Sequence, residues 1–391
     1  MSPALEGTAG ERLPAIGGEA LIRRIEAANL LGRGGAGFPV ARKWQTVKQL
    51  GKGRAVVLAN GAEGEPLSHK DRILMAEQPH LVLDGALLAA GAVGAGDIIF
   101  YVGTEHRAAI TAMRRALSER SERLLQGARL VEAPIGYVSG EESAAVHYIN
   151  SGDARPTTTP PRPFERGVDG RPTLVQNVES LARAASIARG DDCGAAFLTV
   201  SGAVQRAGVY ELPLDATAAH VADRAGGLRR DVQAVLVGGY FGAWAQVDEV
   251  WALTLDPASL RARGLSFGCG VLHFLASDSC GIDATARILS YLAGQSARQC
   301  GPCVFGLGAV AAASRRLAER NPQPDDLMRL MRWSGQLAGR GACKHPDGAT
   351  SLLRSGLDVF AADFAAHQNR RCLVRPQAAR ATERLRVEAV A

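Results

Sequence analysis

The 391-residue sequence predicts an α/β protein with a small β-rich unit and a helical C-terminal part. Through roughly the first 190 residues, apolar strand-like runs alternate with amphipathic helical stretches, which implies an α/β layer with a largely parallel sheet. Residues 197–260 carry short β-branched runs punctuated by glycines. From Asp283 onward the apolar spacing is helical in four successive segments, the pattern of a bundle.

Leu21, Ile22, Ile25, Leu30 and Leu31, set among Arg23, Arg24 and Glu26, read as an amphipathic helix that runs into G-R-G-G-A-G-F-P-V-A-R-K-W, residues 32–44. Four glycines in six positions let backbone N–H groups approach an anion or a flat ring, and Lys43 adds a point charge. Gly32, Gly34 and Gly37 satisfy the letter of G-x-G-x-x-G. That fingerprint needs a strand before it and a helix directly after it. Here a helix precedes it and Pro39 interrupts the residues after it, so the ordinary Rossmann reading is rejected. A nucleotide-cradling loop or a plain glycine-rich turn remains.

Ala55–Ala59 reads as a buried strand ending in Asn60-Gly61-Ala62-Glu63-Gly64-Glu65-Pro66. Ligands of open α/β sheets sit at such strand ends. Asn60, Glu63 and Glu65 are therefore candidates for hydrogen bonds to a ring edge or sugar hydroxyl, or else a turn that caps a helix. Helical patterns cover Lys70–Ala76, Leu81–Val93 and Arg107–Leu125, with a strand over Ile98–Val102. A short strand at Leu130–Val131 leads through Tyr137 and Gly140 to Glu141 and Glu142, where a helix begins with its unpaired N–H groups. These two carboxylates either line a site or cap the helix. Residues 151–172 form a long proline-rich loop, and a loop of that length in a compact domain is usually functional. The next helix is expected to open at Thr173, with Gln176, Asn177 and Glu179 in its first turns. Further on, Phe197–Val200, Val209–Tyr210 and Ala234–Val237 read as strands and Thr217–Ala225 as a helix. The bundle segments are expected from Ile288, over Val310–Leu317, over Leu327–Leu337 and over Leu352–Phe364.

Composition excludes several classes. With 47% apolar and 21% charged residues the chain is an ordinary globular one. Its net charge of +6 comes from scattered arginines without interleaved aromatics, which argues against nucleic-acid binding. The longest apolar run, near Leu81–Val93, is too short to span a bilayer, so no direct membrane insertion is expected. No basic and apolar leader opens the sequence, and a cytoplasmic location is the resulting expectation. Seven cysteines, most of them from Cys269 onward, suit a reducing compartment and a metal site better than a disulfide framework. Cys300-Gly301-Pro302-Cys303 reads as a redox dithiol, as part of a metal site or as two unligated buried thiols, and Cys343 downstream favours thiolate ligation of iron–sulfur or zinc.

Taken in order, G-R-G-G-A-G-F-P-x-x-x-K-W, N-x-x-E-x-E-P, G-Y-x-x-G-E-E, R-P-T-x-x-x-N-V-E and C-x-x-C with a distant cysteine resemble the flavin-bearing, NADH-oxidising subunit of respiratory complex I and its hydrogenase and formate dehydrogenase relatives. The resemblance covers roughly residues 20–365. It implies a Rossmann-like α/β FMN domain over residues 1–190, a ubiquitin-like β-grasp domain over 191–265, and a C-terminal four-helix bundle over 266–391 carrying an iron–sulfur cluster. It further implies that Gly32, Arg33, Gly34, Gly35 and Lys43 cradle FMN and that Asn60 and Glu63 meet its ring and ribityl chain. By the same resemblance Tyr137, Gly140, Glu141 and Glu142 line the flavin pocket, Asn177 lies toward the phosphate, and Gln176 is a further cofactor-binding position. Phe38, Glu65 and Glu142 would face the nicotinamide nucleotide. Lys43, Glu65 and Glu142 are then the catalytic candidates, Lys43 as an electrostatic partner of the reduced flavin.

The chain departs from the family pattern at four places. Ala62 stands where the family has an aspartate. Arg162 occupies the position of an aromatic that stacks on adenine, with Phe164 nearby, so that NADPH competes with NADH as the expected donor. Gln176 replaces the first of two asparagines. Ala297 stands where the first cluster cysteine belongs, leaving Cys300, Cys303 and Cys343, with His345 as the preferred extra ligand and Asp347, Cys280 or solvent as alternatives, or else a lost cluster whose bundle is kept only as structure. A [4Fe–4S] or a [3Fe–4S] cluster is then expected. The function implied is an NAD(P)H dehydrogenase passing electrons to a small ferredoxin or other redox protein, since no cysteine-rich ferredoxin extension closes the sequence. The alternatives are a ferredoxin-fed flavin subunit that does not use NAD(P)H and a non-catalytic cluster-binding subunit.

Overall fold

The computed structural model describes residues 13–191 and 194–374. The two end stretches, 1–12 and 375–391, on which the readings of an absent leader and an absent ferredoxin extension rest, lie outside the described residues. Among the described residues, no helix is long and apolar enough to cross a membrane.

The elements run α1 (Gly18–Ala27), α2 (Val40–Gly51), β1 (Ala55–Gly61), α3 (Lys70–Glu77), α4 (Pro79–Val93), β2 (Ala95–Gly103), α5 (Arg107–Ser118), α6 (Arg123–Gln126), β3 (Arg129–Ala133), α7 (Glu142–Ser151), β4 (Thr173–Asn177) and α8 (Val178–Arg189). Then come β5 (Ala195–Gly202), β6 (Gly208–Pro213), α9 (Ala218–Arg224), β7 (Val232–Val237), β8 (Ala243–Gln246), α10 (Val247–Val250), α11 (Pro257–Ala262) and β9 (Val271–Ala276). The helices α12 (Gly281–Gly294), α13 (Gly308–Ala318), α14 (Asp326–Gln336), α15 (His345–Val359) and α16 (Ala361–Gln368) complete the described chain. The strands form one sheet in the order β3-β2-β1-β4 and another in the order β6-β5-β9-β7-β8. Two compact units result: one takes the chain to Thr199 with Gly208–Ala216 and Thr254–Val271, the other Val200–Ala207, Thr217–Leu253 and the chain from Leu272.

In the first unit all three strand pairings of the four-stranded sheet are parallel. Val57 and Ala59 of β1 point into the larger core with Trp44, Leu83 and Leu181, while Val56 and Leu58 point into a second core with Tyr101, Ala145 and Val175. A parallel strand covered on both faces must be apolar at every position, which is why A-V-V-L-A carries no polar alternation. Because β2 lies on one side of β1 and β4 on the other, the chain reverses its direction of winding between β1 and β4. Ligands of open sheets collect outside the carboxyl ends of the strands at such a switch point.

The structure corrects two expected helices in this unit. Residues 173–177 are strand β4, not the first turns of a helix: Val56–Asn60 pair with Thr173–Asn177 in parallel register, and helix α8 begins one residue later with Asn177 as its cap. A short run ending in an Asx cap reads like a helix start when the pairing partner, more than a hundred residues away, is unseen. The single helix expected over Arg107–Leu125 is two, α5 and α6. Arg120, in the break, turns inward to Asp84 at 2.7 Å, and the same buried carboxylate also meets Arg189. This accounts for the lone acid inside the apolar run of α4.

In the second unit β7 pairs antiparallel with β8 and with β9. Helix α12 packs against α13 and α15, and α14 against the same two. The segment expected as one helix over Leu352–Phe364 is α15 followed by α16, broken at Phe360. Phe360 is buried at this joint, edge-on to Trp244 with ring centroids 5.4 Å apart.

Glycine substitutions in α4 separate packing from propensity. A Cβ on Gly85 would lie 2.1 Å from Leu181 O, backbone that cannot yield, whereas one on Gly91 would meet nothing within 4 Å. Gly→Ala in a helix interior is worth about 1 kcal/mol of stability by propensity alone, and overpacking costs about 1–3 kcal/mol. Gly91→Ala is therefore expected to raise the urea midpoint and Gly85→Ala to lower it, the two variants moving in opposite directions in the same denaturation experiment.

Candidate functional site

The glycine loop closes on itself. Leu31 and Pro39 form an antiparallel bridge, Gly32 N donates to Phe38 O at 2.9 Å, and Val40 N donates to Leu30 O at 3.0 Å. Gly35 (φ +106°) and Gly37 (φ +62°) take left-handed backbone that the loop needs and that a side chain resists. Both face open space at their missing Cβ, so the loop is an open cradle. Gly34 is held over the start of α8, its Cβ direction 3.4 Å from Asn177 Cβ. Arg33 N donates to Ser180 Oγ at 2.9 Å.

Two further loops meet beside it. Asn60, last-but-one in β1, stands in register with Asn177 of β4 and donates from Nδ2 to Gly140 O at 2.8 Å. A Cβ on Gly140 would lie 2.8 Å from Ala62 O, and one on Gly64 2.8 Å from Gly136 O. Here glycine is required because two backbones touch. Tyr137 Oη donates to Glu65 Oε2 at 2.9 Å and fixes the acidic loop from the other side. Glu142, the first residue of α7, accepts from Lys43 Nζ at 3.1 Å, and Arg162 Nη1 lies 3.8 Å from its other oxygen. Phe38 is 47% exposed, with the Arg42 guanidinium over its ring. Thus Gly32, Gly34, Gly35, Phe38, Lys43, Asn60, Glu65, Tyr137, Gly140, Glu142 and Arg162 lie on four loops, the end of β1 and two helix starts of one unit.

Other expected contact residues turn their side chains into the protein. Glu63 accepts from Ser68 Oγ (2.6 Å), from the N–H groups of Asp71 (3.1 Å) and Arg72 (3.3 Å), and from Arg72 Nε (3.0 Å), capping α3. Glu141 caps α7 through the N–H groups of Ser143 and Ala144, and burial pushes its carboxyl above the ordinary value. Gln176 accepts from Trp44 Nε1 at 3.3 Å in the core. Arg33 is 3% exposed, with its guanidinium 3.9 Å from Glu179 and over the Phe267 ring. Asn177 caps α8 with its oxygen and donates from Nδ2 to Asp71 Oδ2 at 2.8 Å. These five shape the cradle and do not present their side chains to it.

Sequence reading missed the cluster beneath them. Lys70 is 1% exposed, and its Nζ lies 2.7 Å from Asp71 Oδ1 and 3.0 Å from Glu179 Oε2. Burial works to raise the Glu63 carboxyl, but Arg72 and then Lys70 outweigh it, so it stays below its ordinary value. Asp71 is pushed up to about 7, first by burial and then by its neighbours Glu63 and Glu179, against the pull of Lys70. Cys269, half-buried, faces the same acids, and burial together with Glu65 keeps its thiol protonated. A His-Lys-Asp-Arg run reads as a solvated helix face, so no local signal marked it.

In the second unit Cys300, Cys303 and Cys343 converge. The Cys303 thiol is pushed up to about 12, first by burial and then by Cys300 and Cys343, with Ser296 pulling the other way. Cys303 N bonds Cys300 O at 3.0 Å, where the chain enters a π-helical turn, Pro302–Leu307. Such turns are frequent at functional sites. Three thiols held together in this way repel one another as thiolates, and a cationic metal group relieves that repulsion. The donor set therefore fits an iron–sulfur group, with three protein thiols in place of four. His345 is buried with Nε2 donating to Leu292 O at 2.7 Å, so ligation by this ring would fall to Nδ1. Asp347 accepts from Gly339 N and Lys344 Nζ, and Cys280 lies beside His367 instead.

A parallel sheet with a glycine cradle at its switch point, together with a helical bundle holding converged thiols, defines a flavin and iron–sulfur electron-transfer protein. Comparison with known proteins agrees. Residues 25–186 match the Nuo51 FMN-binding domain, and residues 283–367 match the NADH-ubiquinone oxidoreductase-F iron–sulfur binding region. The F 2 subunit of the NADH-quinone oxidoreductase of Rhizobium meliloti (strain 1021) is 31% identical over 395 residues, covering 94% of this chain and 93% of that protein. The corresponding F subunit of Escherichia coli (strain K12) is 29% identical over 92% of this chain and 86% of its own. An NAD+-reducing [NiFe]-hydrogenase in the H2-reduced state superposes with a TM-score of 0.85 at 26% identity, over 97% of this chain and 67% of that one. The chain belongs to the family of NADH-quinone oxidoreductase F subunits. It is an oxidoreductase of the kind that uses FMN, an iron–sulfur group and NADH.

The raised Asp71 carboxyl gives this site a pH signature. A carboxyl whose folded value is above its unfolded 3.8 adds stability that is complete below about 4 and is lost as pH climbs through about 7. Asp71→Asn has no such proton to lose. The melting temperature of the wild type is expected to fall relative to Asp71→Asn as pH rises toward 7 and to hold a constant offset above about 8; parallel curves across the whole range would count against the shifted carboxyl.

Proposed function

We propose that this chain oxidises NADH or NADPH at the cradle of its first unit and passes the electrons to a small ferredoxin or other redox protein. The observation that carries the reading is the convergence of the open glycine loop, the Lys43–Glu142 pair and Arg162 where β1, β4 and α7 end or begin. When bound, FMN supplies the step from a two-electron donor to one-electron carriers, and the iron–sulfur group accepts electrons singly. The residues do the rest. Gly34, Gly35 and Gly37 leave backbone accessible to an anion or a ring. Lys43, kept in place by Glu142, sets a positive charge where a reduced ring accumulates negative charge. Asn60 and Tyr137 hold the two loops at a fixed spacing, and Tyr137 orients Glu65. Exposed Phe38 offers a flat apolar surface for the nicotinamide, and half-exposed Arg162 a guanidinium for the adenine or for a 2′-phosphate.

The cluster is assigned to Cys300, Cys303 and Cys343, with one iron taking a ligand other than cysteine because Ala297 replaces the fourth. Exposed Val304 and Phe305, on the turn that carries Cys303, give the acceptor an apolar landing point next to that cluster. A second reading, in which a ferredoxin feeds the flavin, is favoured by Ala62 and by Arg162, whose charge is partly taken by Glu142.

Anaerobic titration of the purified protein, followed at the visible flavin absorbance, separates the readings. Bleaching at about one equivalent of NADH or NADPH supports the dehydrogenase and identifies the coenzyme. Flavin that stays oxidised with both nucleotides, and bleaches with reduced ferredoxin, overturns it in favour of the second reading. Lys43→Ala is expected to lose most of its FMN on gel filtration, while Lys48→Ala, a lysine of the same helix that pairs with Glu19, keeps it; equal retention by both would remove Lys43 from the site.

A further inference from the structure

One thiol–imidazole cluster of the second unit is used neither by the cradle nor by the cluster assigned above. Cys280 immediately precedes α12, His367 lies in the last turn of α16, and Cys372 stands four residues past the end of that helix. One ligand atom from each lies within 4.8 Å of the other two, and Cys280 Sγ stands 3.5 Å from His367 Nε2. His367 is 1% exposed, and its Nδ1 lies 2.8 Å from Leu317 O. A carbonyl only accepts, so Nδ1 carries the ring proton and Nε2 turns its lone pair toward the two sulfurs. Backbone fixing of the far nitrogen is how metal-ligating histidines are ordinarily oriented.

The separations suit a tetrahedral ion. With metal–sulfur bonds of about 2.3 Å and metal–nitrogen bonds of about 2.0–2.1 Å, adjacent sulfur and nitrogen ligands stand about 3.6 Å apart, and Cys280 and His367 already stand at 3.5 Å. The geometry is also unsuited to a share in the iron–sulfur group, whose thiolates ring a much larger body. We propose that Cys280, His367 and Cys372 bind one zinc ion, with water in the fourth position. Two thiolates and a neutral imidazole are a soft, borderline donor set that favours zinc over hard cations. Binding displaces the two thiol protons to solvent, involves no change of oxidation state, and leaves a site whose net charge is zero, as a half-buried position requires. The ion joins the start of α12 to the end of α16, closing the bundle at a point where Cys372 has no helix of its own to hold it.

The test is metal analysis of the full-length protein, expressed with zinc in the medium and gel-filtered in EDTA, with zinc, iron and FMN measured on the same sample. About one zinc per chain is expected, and zinc-edge X-ray absorption should give two sulfur scatterers at about 2.3 Å. Cys280→Ser, His367→Gln and Cys372→Ser should each lose the zinc while iron and FMN per chain stay at the wild-type level. Wild-type protein without zinc, a Cys280–Cys372 disulfide in the mass spectrum of the unreduced chain, or zinc retained by all three variants would overturn the proposal. So would a loss of iron in these variants, which would assign the residues to the cluster. The wild-type stoichiometry and scatterer count decide the matter even for a variant that does not fold.

Discussion

The cradle depends on a buried ionic knot. Lys70, Asp71 and Glu179 lie almost out of reach of water, with Nζ of the lysine 2.7 Å from one carboxylate and 3.0 Å from the other. Removing one member of such a group leaves a charge without compensation and costs about 3–5 kcal/mol. The knot is extended rather than closed: Asp71 accepts from Asn177, Glu179 accepts from the Phe197 backbone at 3.0 Å, and Glu63 receives the first N–H groups of α3. Asn177 ends β4, and the N–H groups of α3 follow the loop after β1, so two of those partners belong to segments that border the cradle. Charges that look like surface decoration therefore set where the ends of β1 and β4 stand.

On that base, contact between backbones fixes the shape of the site. Gly64 and Gly140 are the positions where the loop after β1 and the loop before α7 touch main chain to main chain. Asn60 ties the same two loops with a single amide, and the hydroxyl of Tyr137 ties them a second time. The result separates residues that build the cradle from residues that present chemistry to it. Glu63, Glu141, Gln176 and Asn177 are taken up by caps and core bonds, while Lys43, Glu142, Phe38 and Arg162 keep surface. This division explains how Ala62 is tolerated: its backbone N–H still bonds Asn60 Oδ1 at 3.2 Å, and the loop holds its course without an aspartate side chain.

The helical unit places its reactive groups in a similar way. Of its three converged thiols Cys303 sits on a π-helical turn, Cys300 just before that turn and Cys343 in the loop before α15, and the Cys280–His367–Cys372 set sits where α12 begins and α16 ends. Thiols at helix ends approach one another because the ends are brought together by the packing of α12 on α13 and α15.

Read alone, the sequence determined the class of protein, the order of its motifs and most of its helices and strands. Apolar periodicity and glycine spacing are local properties that survive without knowledge of neighbours, so β1, α4, β7 and α12–α14 were legible. The C-x-x-C pair with its distant cysteine was legible for the same reason, as was the cradle loop itself. Only the tertiary structure decided that Thr173–Asn177 is a strand, since its state depends on pairing with β1 and not on its own propensities. The two units divide along lines that no composition shift marked, and β8 and β9 became visible only through the pairing each makes with β7. Likewise the roles of Glu63, Gln176 and Asn177 could not be assigned from motif position, because a carboxylate or an amide serves a ligand or a helix end with the same atoms. Which one it serves depends on the N–H groups that folding places within hydrogen-bonding distance of it. The burial of Lys70 and Asp71 and the meeting of Cys280 with His367 and Cys372 share that cause: they are contacts between segments remote in sequence, fixed by packing rather than by any local pattern.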